Sequence, residues 1–315
     1  MKPWPWLEPA ATQLRQAHAA GRLPPALLIH EAPGTGAREL ATLFAQLRFC
    51  IGATPPCGQC THCRRVAQGE HPDFIVVGPD EKSKLGQISV DQAREIAQQL
   101  SLSSYEGRGT VLVIQPADAM NRNAANALLK TLEEPRPDAH LVLITTMPSQ
   151  LPATIRSRCQ KLAVAAPDRA TAVAWLAAEQ PRHRADWPAV LDVLGVAPLQ
   201  ALEADVPRIL AIREDIERLL QGAAQGRLDV IRVAHGWAGE ELPLRLAGLE
   251  NCLTERILTM RADSRLPGAG RDINRASALR LLTELGELRR QLAGAALNRP
   301  LAMERLMWKL QGAQD

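Results

Sequence analysis

The chain has 315 residues, of which 46% are hydrophobic, and a formal net charge of +3. That length allows two or three domains with cores of their own and needs no disulfide staples, while the small charge argues against a nucleic-acid coat and still permits a local basic face. The opening MKPWPWLEP lacks the apolar run of a signal peptide and no later segment reaches about 18 uninterrupted apolar residues, so a cytosolic (cytoplasmic) protein without a membrane span is expected.

Residues 26 to 165 alternate short apolar runs with helical patterns. ALLIH leads into ARELATLFAQLRFC, DFIVV into SVDQAREIAQQL, and TVLVIQ into NRNAANALLKTLEE; HLVLIT closes the series. Strand-helix alternation with Val/Ile/Leu-rich strands predicts a parallel sheet covered by helices on both faces. Ser89 and Gln92 are spaced as a capping box for the second helix, and Pro135 follows the end of the third.

Between the first strand and its helix lies EAPGTGAREL, Glu31 to Leu40, which has the shape of a phosphate-binding loop without its working groups. Such a loop turns backbone N–H groups toward phosphates at a helix N-terminus, with a lysine on the β/γ oxygens and a Ser/Thr on magnesium. Gly34 and Gly36 keep the turn, but Ala37 stands at the lysine position and Arg38 at the metal-ligand position. A guanidinium only donates, and one step along a helix turns it about 100° from the site, so Arg38 replaces neither group. Glu31 stands where the first glycine is expected and adds negative charge beside any phosphate. In P-loop ATPases the third strand ends in acids that hold magnesium and prepare water. Here TVLVI runs into Gln115 and Pro116. Loss of ATP binding and hydrolysis is expected; the other reading is a strand-loop-helix never related to a nucleotide site.

Cys50, Cys57, Cys60 and Cys63 follow C-x6-C-x2-C-x2-C, with Pro55, Pro56 and Gly58 supplying tight turns. Thiols stay reduced in a chain without a secretory signal, and four within this spacing match a closed tetrahedral zinc site of structural type. An iron–sulfur cluster or free thiols are the alternatives. His62, between two ligands, is read as a bystander. Cys252 reads as a small core residue.

Beyond about Pro167 the strand pattern ends, and helices continue, broken at Pro181, Pro188, Pro198 and Pro207. Leu246, Leu249, Leu253 and Ile257 share one helix face, as do Leu281, Leu285, Leu288 and Leu292, the pattern of a bundle core with room for partner chains. The loop RLPGAGRDINR, 265 to 275, reads as exposed and is assigned no role.

Three stretches together resemble the AAA+ clamp-loader family, and within it the delta-prime subunits of bacterial DNA polymerase III: the cysteine insert after the P-loop helix, NAANALLKTLEEP (Asn123 to Pro135), and LPATIRSRCQKL (Leu151 to Leu162). The likeness is strong over residues 20 to 165 and rests on domain layout elsewhere. It implies an α/β AAA+ P-loop module with the cysteine insert (1–165), a small helical lid (166–205) and an all-α collar for oligomerisation (206–315). It also implies partners: one delta and three gamma/tau ATPase subunits, and through them the sliding clamp and primed DNA. Active gamma and tau keep the lysine and the acids, so the silent loop favours delta-prime, a rigid stator with no ATPase of its own within a nucleotidyltransferase holoenzyme.

By the family's Ser-Arg-Cys pattern, Arg158 is an arginine finger acting in trans on a neighbour's ATP, presented by Ser157 and Cys159. The alternative is that Arg158 pairs with a carboxylate of its own domain, and Arg156 is the control position. Asn123, Asn126 and Lys130, at i, i+3 and i+7, form a polar helix face that either meets the DNA backbone or is simply solvated, with Lys130 near Glu133 or Glu134. By the resemblance, Thr145 and Thr146 stand where active relatives sense the γ-phosphate and are vestigial here. Two rival readings remain: an active gamma/tau-type ATPase, and a free-standing zinc-dependent nucleic-acid-binding protein.

Overall fold

A computed structural model describes residues 4–80, 86–259, 275–292 and 298–312. The loop at 265–275 falls outside them except for its last residue, where a helix begins. The chain divides into two compact units, Met1–Pro167 and Asp168–Asp315.

In the first unit α1 (Glu8–Ala19) precedes β1 (Ala26–Glu31), α2 (Ala37–Phe49) and α3 (Thr61–Gln68). Then come β2 (Phe74–Val77), α4 (Val90–Ser101), β3 (Thr110–Ile114), α5 (Arg122–Ala127), α6 (Leu129–Glu133), β4 (Ala139–Thr145), α7 (Ala153–Arg156) and β5 (Gln160–Val164). The sheet is parallel throughout, in the order β2-β3-β4-β1-β5. Successive strand residues face opposite ways, and both faces are apolar and covered. Leu27, Ile29, Val113 and Ile144 pack with Leu14, Leu40 and Phe44 on one side. Leu28, Leu112, Ile114 and Leu143 pack with Ile96, Leu128 and Ile155 on the other. This is the expected α/β layering, and β1 lies between β4 and β5, so the loop after β1 opens at the carboxyl ends of central strands.

Local signals hold. Ser89 and Gln92 form both bonds of a capping box at the start of α4. NRNAANALLKTLEE, expected as one helix, is two short helices meeting at Leu128. The fifth strand is an edge strand whose Gln160, Lys161 and Ala163 are exposed, which hides it from a search for apolar runs.

In the second unit α8 (Arg169–Glu179), α9 (Trp187–Leu194), α10 (Pro198–Glu203) and α11 (Val206–Ala224) are followed by α12 (Val230–Trp237), α13 (Leu242–Thr259), α14 (Arg275–Leu292) and α15 (Arg299–Leu310). One core runs through residue 205 from Ala172 on α8 to Leu310 on α15, with Trp187 fully buried within it. Both leucine stripes face this core: Leu246, Leu249, Leu253, Ile257, Leu281 and Leu285 are buried, and Leu288 and Leu292 pack against them. Pro181, Pro188, Pro198 and Pro207 each stand in the first turn of a helix or 3₁₀ turn, where the missing N–H would have no partner anyway. Among the described residues no helix is long and apolar enough to cross a membrane.

Candidate functional site

The loop after β1 folds as a P-loop does. Gly34 and Gly36 take positive φ (70° and 84°), a conformation costly for any side chain with a Cβ, and Gly36 caps α2. The first amide of that helix, Ala37 N–H, is one of the unpaired donors with which such loops hold phosphate. Here it donates to Glu31 Oε2 at 2.8 Å. Glu31 is 7% exposed, and the Thr35 hydroxyl lies 3.2 Å from the same oxygen while donating to the Ala32 carbonyl at 2.8 Å. The positive end of the α2 dipole therefore meets a carboxylate from its own chain. Trp6, in the turn before α1, donates its indole N–H to the Thr35 carbonyl at 2.8 Å, tying the amino-terminal segment onto the loop. Ala37 is fully buried and Arg38 exposed.

At the end of β3, Gln115 is half-buried and Pro116 exposed. The acid that follows, Asp118, is engaged: the buried Thr145 hydroxyl at the end of β4 donates to its Oδ1 and accepts the Met147 amide at 3.0 Å. Thr145 thus has a structural task, tying the exit of β4 to the turn after β3. The sequence offered no sign of that bond, since the two residues lie 27 positions apart.

Arg158 stands just beyond α7. Its Nη1 donates to the Thr154 carbonyl at 2.9 Å and its Nη2 to Glu133 Oε1 at 2.5 Å. In the chain by itself the arginine is paired with a carboxylate of its own domain, and Glu133 takes Arg158 rather than Lys130. Ser157 donates to Thr154 O at 3.2 Å, and Cys159 is buried against the core below, where burial pushes its thiol up to about 11. Asn123, Asn126 and Lys130 are exposed.

Cys50 ends α2, Cys57 and Cys60 lie in the loop, and Cys63 is in the first turn of α3. Their sulfurs all lie within 4.8 Å of one another. Backbone amides of Gly52 and Cys57 donate to Cys50 Sγ (3.3 and 3.4 Å), that of Cys60 to Cys57 Sγ (3.3 Å) and that of Cys63 to Cys60 Sγ (3.4 Å). A Cβ on Gly52 would come 2.7 Å from Cys57 Cβ, so the close turn requires glycine. Burial pushes the Cys63 thiol up to about 12, whereas at Cys60 amide and thiol hydrogen bonds outweigh burial and hold it near 6. Thiolates brought this close repel one another, and a cation among them would offset that repulsion. The donor set fits one tetrahedral metal ion, whose S–S edges would measure about 3.8 Å. Cys252, also driven up to about 11 by burial, is a core residue as read.

A second group of possible metal ligands adjoins this insert: His62 Nδ1, His71 Nε2 and Glu106 Oε2 lie 3.0 to 3.2 Å apart. His71 Nδ1 accepts the Asp73 amide at 3.2 Å, so its proton sits on Nε2, and that nitrogen has no lone pair for a cation. The group is a clasp. Glu106 also binds Arg65 at 2.5 Å, and its loop is held by Asp73, which accepts the Tyr105 and Glu106 amides. His62 ties the insert to the body of the module.

The family model described as "DNA polymerase III, delta subunit" matches residues 6–168, just over half of the chain. A DNA polymerase III subunit delta' from Pseudomonas aeruginosa is 35% identical over 248 residues, 76% of this chain and 73% of that protein. The chain belongs to the DNA polymerase III delta-prime family. A tau subunit from Escherichia coli is 36% identical, but over 48% of this chain and 23% of its own length. A delta-prime match therefore extends past the first unit, while the tau match stops within about half of the chain. Among solved structures, a DNA polymerase III gamma-subunit-related protein from Thermotoga maritima matches 96% of this chain and 99% of its own at TM-score 0.52 and 19% identity, which shows a shared fold.

Proposed function

We propose that this delta-prime family member, a subunit of the DNA polymerase III clamp loader, is a non-hydrolysing one that helps load the sliding clamp onto primed DNA and lends Arg158 to a neighbouring ATPase subunit. The observation that carries this reading is the Glu31 carboxylate at the first amide of α2. A triphosphate would have to displace it, and Ala37 offers no cation in compensation. Gln115 and Pro116 add no acid for magnesium. The chain's contribution to ATP chemistry then lies in trans, where an arginine neutralising charge on a transferring phosphoryl group raises rates by roughly 10³ to 10⁵.

Within this reading, residues 166–205 act as lid and 206–315 as the collar that joins delta and gamma/tau subunits, in the cytoplasm. Cys50, Cys57, Cys60 and Cys63 hold a structural zinc ion, which fixes the insert and supplies no open coordination position.

The deciding experiment is equilibrium binding of fluorescent ATP with magnesium to the purified chain. No saturable binding and no turnover are expected. Magnesium-dependent turnover would move the chain to the gamma/tau-type ATPases, and steeply salt-dependent DNA binding by the lone chain would favour a free-standing nucleic-acid-binding protein.

A further inference from the structure

Arg158 is held from two helices at once. Thr154, on α7, accepts from Nη1 at 2.9 Å, and Glu133, the last residue of α6, accepts from Nη2 at 2.5 Å. The arginine side chain is 34% exposed and the glutamate 50%. An ion pair this open to water stabilises a fold by about 0 to 1 kcal/mol, so it adds little to the integrity of the module. Its effect on orientation is larger. A free arginine side chain carries about 2 kcal/mol of rotamer entropy, and two anchors on different elements remove much of it before any partner arrives. A guanidinium has five N–H donors; two are engaged here, so three are left for an incoming phosphate, which can bind without breaking the pair.

We propose that Glu133 is a positioning residue for Arg158, fixing its guanidinium in the orientation offered to a phosphate held by the neighbouring subunit. The inference rests on the reading of Arg158 as a trans-acting finger. It extends that reading to a carboxylate 25 residues away, one of the two that helical spacing placed near Lys130. Positioning acts on the transition state, where small misplacements of a charged group are costly, and leaves the neighbour's affinity for ATP largely alone.

The test uses the loader reconstituted from this chain and its partner subunits, assayed for ATP hydrolysis with clamp and primed DNA. Glu133→Ala should lower kcat by about tenfold with KM for ATP unchanged, as expected for lost preorganisation. Glu133→Gln, which keeps an acceptor oxygen, should recover part of that rate, and Glu133→Ala combined with Arg158→Ala should be no slower than Arg158→Ala alone. Both positions are solvent-facing, so the variants should melt with the parent chain. If Arg158→Ala slows the loader while Glu133→Ala does not, the positioning role is wrong and the finger stands. A faster Glu133→Ala loader would make the glutamate a competitor of phosphate, and a double variant slower than Arg158→Ala would mean that Glu133 acts elsewhere; either overturns the proposal. If Arg158→Ala itself hydrolyses at the parental rate, the finger reading falls and takes the positioning role with it.

Discussion

At the tip of β1 the amide that would meet a phosphate meets Glu31, a buried carboxylate of the same chain, whereas before β5 Arg158 keeps part of its guanidinium in water. Both are charges satisfied within one module, yet they differ in reserve. The Glu31 contact is enclosed by the loop, with Trp6 bonded to the loop's backbone; Arg158 retains unused donors at a surface. The amide at the start of α2 is thus satisfied by an anion of the chain itself, whereas Arg158 keeps donors within reach of solvent.

The largest expected effect falls on the exposed side. In the reconstituted loader, Arg158→Ala should slow hydrolysis at the site it completes by on the order of 10³, while Arg156→Ala leaves it near the parental rate. Equal losses would break the contrast. Next comes the insert that flanks the loop helix: elemental analysis should find about one zinc per colourless chain, and Cys63→Ala should lose the metal and on the order of 4 kcal/mol of stability, read by urea unfolding. A brown protein would mean iron and sulfur instead.

On the enclosed side, Glu31→Ala leaves the Ala37 amide without its acceptor and should cost about 1–3 kcal/mol in the same assay. A stability equal to the parent's would mean that Glu31 is no substitute for phosphate. The smallest effect concerns His140, whose Nδ1 lies 2.9 Å from the Pro24 carbonyl and which packs edge-on against Phe44. Burial holds its pKa below the ordinary 6.5, so the neutral ring is the folded form. Its contribution is fully present above that value and lost as pH falls, because the unfolded chain then binds the additional proton. The slope is at most about 1.4 kcal/mol per pH unit, and His140→Gln should flatten it in unfolding midpoints taken between pH 7.5 and 5.5.

Much of the fold was legible. Four of the five strands announce themselves as apolar runs because both of their faces are covered, and the capping box at Ser89 was readable from spacing alone. The edge strand β5 was not, since three of its five residues face water. Helix α1 carries no strong apolar period beyond Ala10, Ala11 and Leu14, which with Leu7 of the preceding turn join the core beside Leu27, Ile29, Leu162 and Val164 of β1 and β5. At the candidate sites, residue types were legible and pairings were not. Ala37, Arg38, Gln115 and Pro116 show missing chemistry by identity. That Glu133 meets Arg158, Thr145 meets Asp118 and His62 joins Glu106 and His71 depends on contacts across 9 to 44 residues, which no local period encodes.

By itself the sequence determined which groups are present: four thiols at metal spacing, a loop without its lysine, an arginine in a Ser-Arg-Cys turn, and helices with leucine stripes. Those follow from composition and short-range periodicity, which act over a few residues. Only the tertiary structure decided where the charges go. A carboxylate's partner is set by which strand ends and helix termini are brought within about 3 Å of it, a distance at which a hydrogen bond forms and beyond which water takes over.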